Sequence, residues 1–152
     1  MGLSRRYHKT YIVNCVKALE FMGSSLEDLR NFPAEVRRAA GFQLSFVQQA
    51  LLRDRRKVMR KNVKGAKRSV FLDLGFEPAE AAVLQMRANL MADLRLYIEK
   101  NRLTQAEAAK RLGIAQSRVS DLVRGKWEKF SLEMLITLEA RRGRTVRVEL
   151  AA

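Results

Sequence analysis

The chain has 152 residues, 47% of them apolar, and its 30 Lys+Arg against 16 Asp+Glu leave a formal net charge of +14. That is enough apolar material for one packed core plus an appendage, and the charge implies a polyanionic partner: nucleic acid, an anionic membrane surface or an acidic protein. A single cysteine (Cys15) and a single histidine (His8) exclude an internal disulfide and a Cys/His-rich metal site, so no cofactor is expected. No apolar run approaches the ~18 residues of a spanning helix, and no signal-peptide-like apolar stretch follows the basic N-terminus, so the expectation is a soluble cytoplasmic protein.

The charge is unevenly spread. Residues 1–68 hold 16 basic and 5 acidic residues, a net of +11, whereas residues 69–152 hold 14 and 11, a net of +3. The densest run is Arg53 to Arg68, in which Asp54 is the single acid. A stretch so basic, with Asn62 and Gly65 and only scattered apolar residues, reads as a linker over 61–69 that divides the chain into 1–60 and 70–152.

In the first part, Tyr11 to Val16 is apolar and β-branched, a short strand or the start of a helix through Met22. Ser24 and Ser25 ahead of Leu26, Glu27 and Asp28 mark an N-cap with acids in the first turn. Leu26, Leu29 and Phe32 follow at helical spacing until Pro33 interrupts. Glu35 to about Arg56 then reads as a long helix with a stripe at Val36, Ala40, Leu44, Val47, Leu51 and Val58. Gly41 weakens this helix without breaking it.

Residues 23–49, GSSLEDLRNFPAEVRRAAGFQLSFVQQ, resemble the N-terminal helical hairpin of RelE/HigB-type toxins, small ribosome-dependent mRNA endonucleases. In that family a β-sheet carrying the catalytic residues follows the hairpin. Here no run of alternating strands follows Gln49, so no catalytic residue is transferred and no enzyme activity is expected. The resemblance implies a toxin-like hairpin without its catalytic sheet, one that folds back onto the C-terminal part and occupies a toxin's place there, or else an oligomerisation arm.

In the second part, Phe71 to Phe76 precede Glu77-Pro78-Ala79-Glu80, where Pro78 suits a first helical turn. Ala82, Leu84, Met86, Leu90, Leu94 and Ile98 then support one helix to Asn101, or two with a break near Ala88. The most informative segment is Leu103 to Lys126, LTQAEAAKRLGIAQSRVSDLVRGK. Thr104 with Glu107 forms a capping box. Ala106, Ala109 and Leu112 give a short helix its apolar face, with Ala109 small where a second helix crosses, and Gly113 ends it. Ile114 plugs the turn, and a second helix from Gln116 sends Val119, Leu122 and Val123 inward until Gly125. Two short helices across a glycine turn are a helix-turn-helix. The second helix presents groups suited to a major groove. Gln116, Ser117, Ser120 and Asp121 are the candidate base contacts, and Gln105, Arg118, Arg124 and Lys126 the candidate phosphate contacts.

This segment resembles the Xre/Cro-type helix-turn-helix family almost position for position. The wider span is similar to HigA-type antitoxins, through VFLDLGF at 70–76, PAEA at 78–81 and FSLEML at 130–135. The resemblance implies a mainly α protein: a helical hairpin, then a lambda-repressor-like helix-turn-helix bundle. It also implies a bacterial, nucleoid-associated repressor that binds operator DNA as a homodimer, and a RelE/HigB-type toxin as a further partner.

Ser131 caps a closing helix with Leu132, Leu135, Ile136 and Leu138, ended by Gly143. Thr145 to Leu150 alternate with period 2, which predicts a β-strand. A lone strand has unmet backbone partners. Pairing with the same strand of a second copy, through Val146, Val148 and Leu150, supplies them, and pairing with Tyr11–Val16 of the same chain is the alternative. Two recognition helices one DNA turn apart then read a palindrome. The leading function is a sequence-specific repressor of the antitoxin type; the alternative is a toxin-neutralising interaction module with DNA binding secondary. The excess charge of residues 1–68 adds nonspecific attraction to the DNA backbone.

Overall fold

The computed structural model describes residues 21–54 and 69–148, and within the first segment side chains through residue 49. The expected strand or helix at Tyr11–Val16, the run 55–68 containing most of the linker, and Leu150 lie outside the described residues. All regular structure among the described residues is helical: α1 (Ser25–Asn31), α2 (Ala34–Asp54), α3 (Val70–Asp73), α4 (Pro78–Lys100), α5 (Gln105–Leu112), α6 (Gln116–Val123), a 3₁₀ turn (Trp127–Lys129) and α7 (Leu132–Arg141). None of these helices is long and apolar enough to cross a membrane.

Helix α4 is the axis of the fold, and α2, α3, α6, α7 and the 3₁₀ turn pack around it. It is continuous, with no break at Ala88. Pro78 stands in its first turn, where a missing N–H leaves nothing unsatisfied. Its buried residues are Ala81, Leu84, Ala88, Leu90, Met91, Ala92, Leu94 and Ile98, a wider belt than a one-sided amphipathic helix carries, because neighbours cover it on several sides. Ala82, expected inside, is exposed.

The hairpin α1–α2 joins the same core. Leu26 and Leu29 of α1 pack against it, while Phe32 is half exposed. Ser24 does not cap the backbone of α1; its hydroxyl donates to the Asp28 carboxylate at 3.0 Å. In α2 the expected apolar stripe is corrected in part: Leu44 packs against the core and Ala40 is half-buried. Val36 and Val47 are 46% and 52% exposed, whereas Gly41, Phe42, Ser45 and Gln48 are buried. The inward face sits about one residue, roughly 100°, round the helix from the predicted one. Hydropathy misses it because much of it is small or polar.

Gly41, Phe42 and Ser45 each have a visible reason to be inside. Gly41 meets Phe71 of α3: a Cβ there would lie 2.7 Å from the ring Cδ1, so only glycine admits this approach. Phe42 sits edge-on to Phe71, centroids 5.4 Å apart. The Ser45 hydroxyl accepts from the Gln85 side-chain amide at 3.1 Å, and Asn89 accepts from Gln49 at 3.0 Å and from Gln85 at 3.1 Å. Buried polar groups that find partners escape the desolvation penalty. Arg38 pairs with Glu80 at 2.7 Å, and Arg37 donates to the Leu74 carbonyl at 2.9 Å. The partners 38/80, 45/85 and 49/89 advance together, so α2 and α4 run in the same direction across the seam.

The predicted C-terminal strand is also corrected. Residues 144–148 form no strand in this chain, since an extended segment needs a neighbouring edge to make a ladder and no described segment offers one. Val146 packs inward against the core, whereas Val148 is 57% exposed. Just before this segment, Glu139 is buried and accepts from Arg142 Nε at 2.7 Å, while Asp93 takes Arg142 at 3.4 Å and Arg144 at 2.9 Å. These pairs tie the end of α7 to α4.

Candidate nucleic-acid interface

Helices α5 and α6 form the helix-turn-helix, and each device that shapes it is visible. Thr104 Oγ1 accepts from the Glu107 N–H at 3.3 Å, and the Glu107 carboxylate accepts from the Thr104 N–H at 2.8 Å, a complete capping box. These hydrogen bonds hold the Glu107 carboxyl below its ordinary pKa. Thr104→Ala removes the side-chain half and is expected to cost about 1 kcal/mol. That is roughly 3 °C in a thermal melt followed by circular dichroism, with Thr104→Ser restoring it.

At the other end Gly113, at φ +65°, turns the chain left-handed, and the Ile114 N–H returns to the Ala109 carbonyl at 3.1 Å. Arg141 of α7 completes this end. Its Nη1 donates to the Leu112 and Gly113 carbonyls at 2.9 and 2.8 Å, taking up acceptors that a helix terminus leaves open. Nothing in the linear pattern of α7 singled out Arg141 for this task.

The inward face of α5 is Ala108 and Leu112, with Ala109 half-buried and Ala106 exposed. Ala108 therefore takes the place expected of Ala106. In α6, Val119 and Leu122 are buried as expected, whereas Val123 is 37% exposed.

The outer face can then be read residue by residue. Gln116 and Ser117 open α6, both exposed, and Ser120 stands one turn on, half-buried. None of the three makes a side-chain hydrogen bond among the described residues. Ala115, the N-cap of α6, supplies no side-chain acceptor, and no acid occupies the first turn, so the helix start carries an unneutralised positive dipole end. Asp121 differs: its carboxylate is 2.9 Å from the Lys126 ammonium, which holds its pKa below the usual value. Asp121, a candidate base contact, and Lys126, a candidate phosphate contact, thus stand as a pair. Arg118 donates to the Lys129 carbonyl at 2.6 Å, bracing α6 against the 3₁₀ turn. Gln105 and Arg124 are exposed at the start of α5 and just beyond the end of α6. From Thr104 to Phe130 the chain carries six basic and three acidic residues, so this face is positive even though the domain as a whole is nearly balanced.

Val146 and Val148, predicted to pair two copies, follow α7 in one short segment without regular structure and belong to neither α5 nor α6. The arrangement as a whole is an exposed short helix with polar, uncharged side chains at its start, cations at its end, and a second helix braced across its base. The helix-turn-helix domain family matches residues 70–151, and searches among curated proteins and among solved structures returned no match. That match takes in α3 through α7 and more than half of the chain, so the protein belongs to the helix-turn-helix domain family, as an Xre-like DNA-binding regulator.

Proposed function

We propose that the protein is a sequence-specific repressor of the antitoxin type, which reads operator DNA with α6. One observation carries this reading: Gln116 and Ser117 lie exposed at the start of α6 with no partner among the described residues. A glutamine amide matches the paired donor and acceptor of adenine in the major groove, and a serine hydroxyl adapts to several base edges. Ser120 adds a reader one turn on. Gln105, Arg118, Arg124 and Lys126 address the phosphates, which orient the helix without reading sequence. Asp121 serves this reading best by steering Lys126.

The repressor acts as a homodimer on a palindrome in this proposal, with the segment from Thr145 onward as the interface between copies. The exposed Val148 and the period-2 alternation of Thr145 to Leu150 support that interface. The antitoxin lineage rests on the resemblance of 69–152 to HigA-type proteins and of 23–49 to toxin hairpins. The test is in vitro selection from a random 30-base-pair duplex library with the full-length protein, followed by footprinting. Enrichment of a two-fold symmetric sequence supports the reading, and a library that remains random overturns it.

A further inference from the structure

The segment that leaves α6, Arg124 to Lys129, carries Arg124, Lys126 and Lys129, and much of its shape is set from outside the helix-turn-helix. Its Trp127 ring is stacked on Phe42 of α2, centroids 4.9 Å apart and planes within 7° of parallel. Phe42 is completely buried. Arg87 of α4 reaches both rings, 5.2 Å from the Trp127 centroid and 5.9 Å from that of Phe42. The same guanidinium donates to the Trp127 carbonyl at 2.8 Å and, through Nε, to the Phe130 carbonyl at 3.1 Å. The edge of Phe46 rests against the Gly125 backbone, 3.1 Å from where a Cβ would stand, with Gln43 and Arg95 beside it. From the α6 side, Arg118 holds the Lys129 carbonyl. Phe42, Gln43 and Phe46 all belong to α2, which precedes the residues matched to the family.

We propose that α2 is a positioning element of the DNA interface: Phe42, stacked on Trp127, fixes the turn after α6 so that Arg124, Lys126 and Lys129 meet the DNA backbone as a set. This rests on the DNA reading proposed above and assigns the N-terminal hairpin a part in it. Cations on a turn already ordered need not be ordered on binding, which would otherwise weaken association. Phe42 touches no DNA in this scheme; it acts through Trp127.

The test compares full-length wild type, Phe42→Leu and Phe42→Tyr on a duplex enriched by selection, with affinity measured across a range of KCl concentrations. Phe42→Leu is expected to bind roughly 3- to 10-fold more weakly. Its plot of log affinity against log salt should be shallower by about 1 for each phosphate that the variant no longer neutralises. Its preference for the selected over a scrambled duplex should remain, and Phe42→Tyr should restore affinity and slope. The chain's single tryptophan reports the stack directly, so the emission of Phe42→Leu should differ from wild type. Partial unfolding lowers the active fraction and leaves the slope unchanged, so weaker binding with a wild-type slope overturns the proposal, as does unchanged binding. If Phe42→Leu does not fold, Trp127→Leu, at a half-buried position, carries the same expectations for affinity, salt slope and duplex preference. A wild type with no preferred duplex removes the DNA reading and this inference with it; a wild type that selects while the variants match it removes this inference alone.

Discussion

Replacing Gln116 and Ser117 together with alanine is expected to reduce the preference for the selected duplex over a scrambled one by roughly 100- to 1000-fold. A good base contact discriminates by about 1–3 kcal/mol, and the two contacts proposed here lie at the start of α6. The backbone term should survive. Arg118, Arg124 and Lys126 are untouched, so residual binding stays salt-dependent with a similar slope. The fold should survive too, since both side chains are exposed and alanine is a good helix former. Affinities for both duplexes at one fixed salt concentration decide the matter. An unchanged ratio sinks α6 as the reading helix. A loss equal on both duplexes would instead mark the two residues as backbone contacts.

The second large effect concerns the join between the hairpin and the helix-turn-helix domain. Phe71→Ala is expected to lower stability by about 3–5 kcal/mol, read as a shift in the urea midpoint, because the ring is fully buried between Gly41, Phe42 and Phe76. A companion variant tests the join by its sign. In an exposed helix Gly41→Ala would stabilise by about 1 kcal/mol. Here the new methyl falls on the Phe71 ring, and overpacking of that kind costs about 1–3 kcal/mol. The net expectation is a loss in the wild-type background and a gain once Phe71 is alanine. A Gly41→Ala variant that is more stable than wild type would show that the hairpin does not rest where the structure places it.

The helix-turn-helix was legible because its signals are local. The Thr104/Glu107 box, Gly113, and the Val119 and Leu122 spacing each sit within one turn of the feature they specify. So do Pro78 for α4 and Ser131 for α7, whose hydroxyl accepts from the Met134 N–H. What escaped depends on partners distant in sequence. Hydropathy places Val36 and Val47 inside α2, yet Gly41 and Ser45 go there because Phe71 and Gln85 await them, and the half-buried Gln49 turns to Asn89. Arg87 and Arg141 serve carbonyls 40 and 29 residues away, which no local pattern shows. Within the candidate site, Gln116 and Ser117 stand exposed as expected, while the pairing of Asp121 with Lys126 takes a C-terminal turn to reveal. The extended C-terminal segment was legible as a pattern of alternation, but a ladder needs a second edge, and alternation alone does not supply one.

The seam between α2 and α4 has a consequence for synthesis. Helix α2 leaves the ribosome before the α4 on which it docks, and nascent chains with exposed apolar faces are prone to associate while they wait. Beside Phe42, Leu44 and Phe46, the docking face of α2 carries Gly41, Ser45, Gln48 and Gln49, a small and polar part that water solvates well in the interval. The same hydrogen-bonding groups then admit few alternative registers against Gln85 and Asn89, because a shifted helix would bury donors without acceptors. A greasier hairpin would gain adhesion and lose this discrimination, so the polar seam lets the first-made part of the chain remain soluble until its one correct partner emerges.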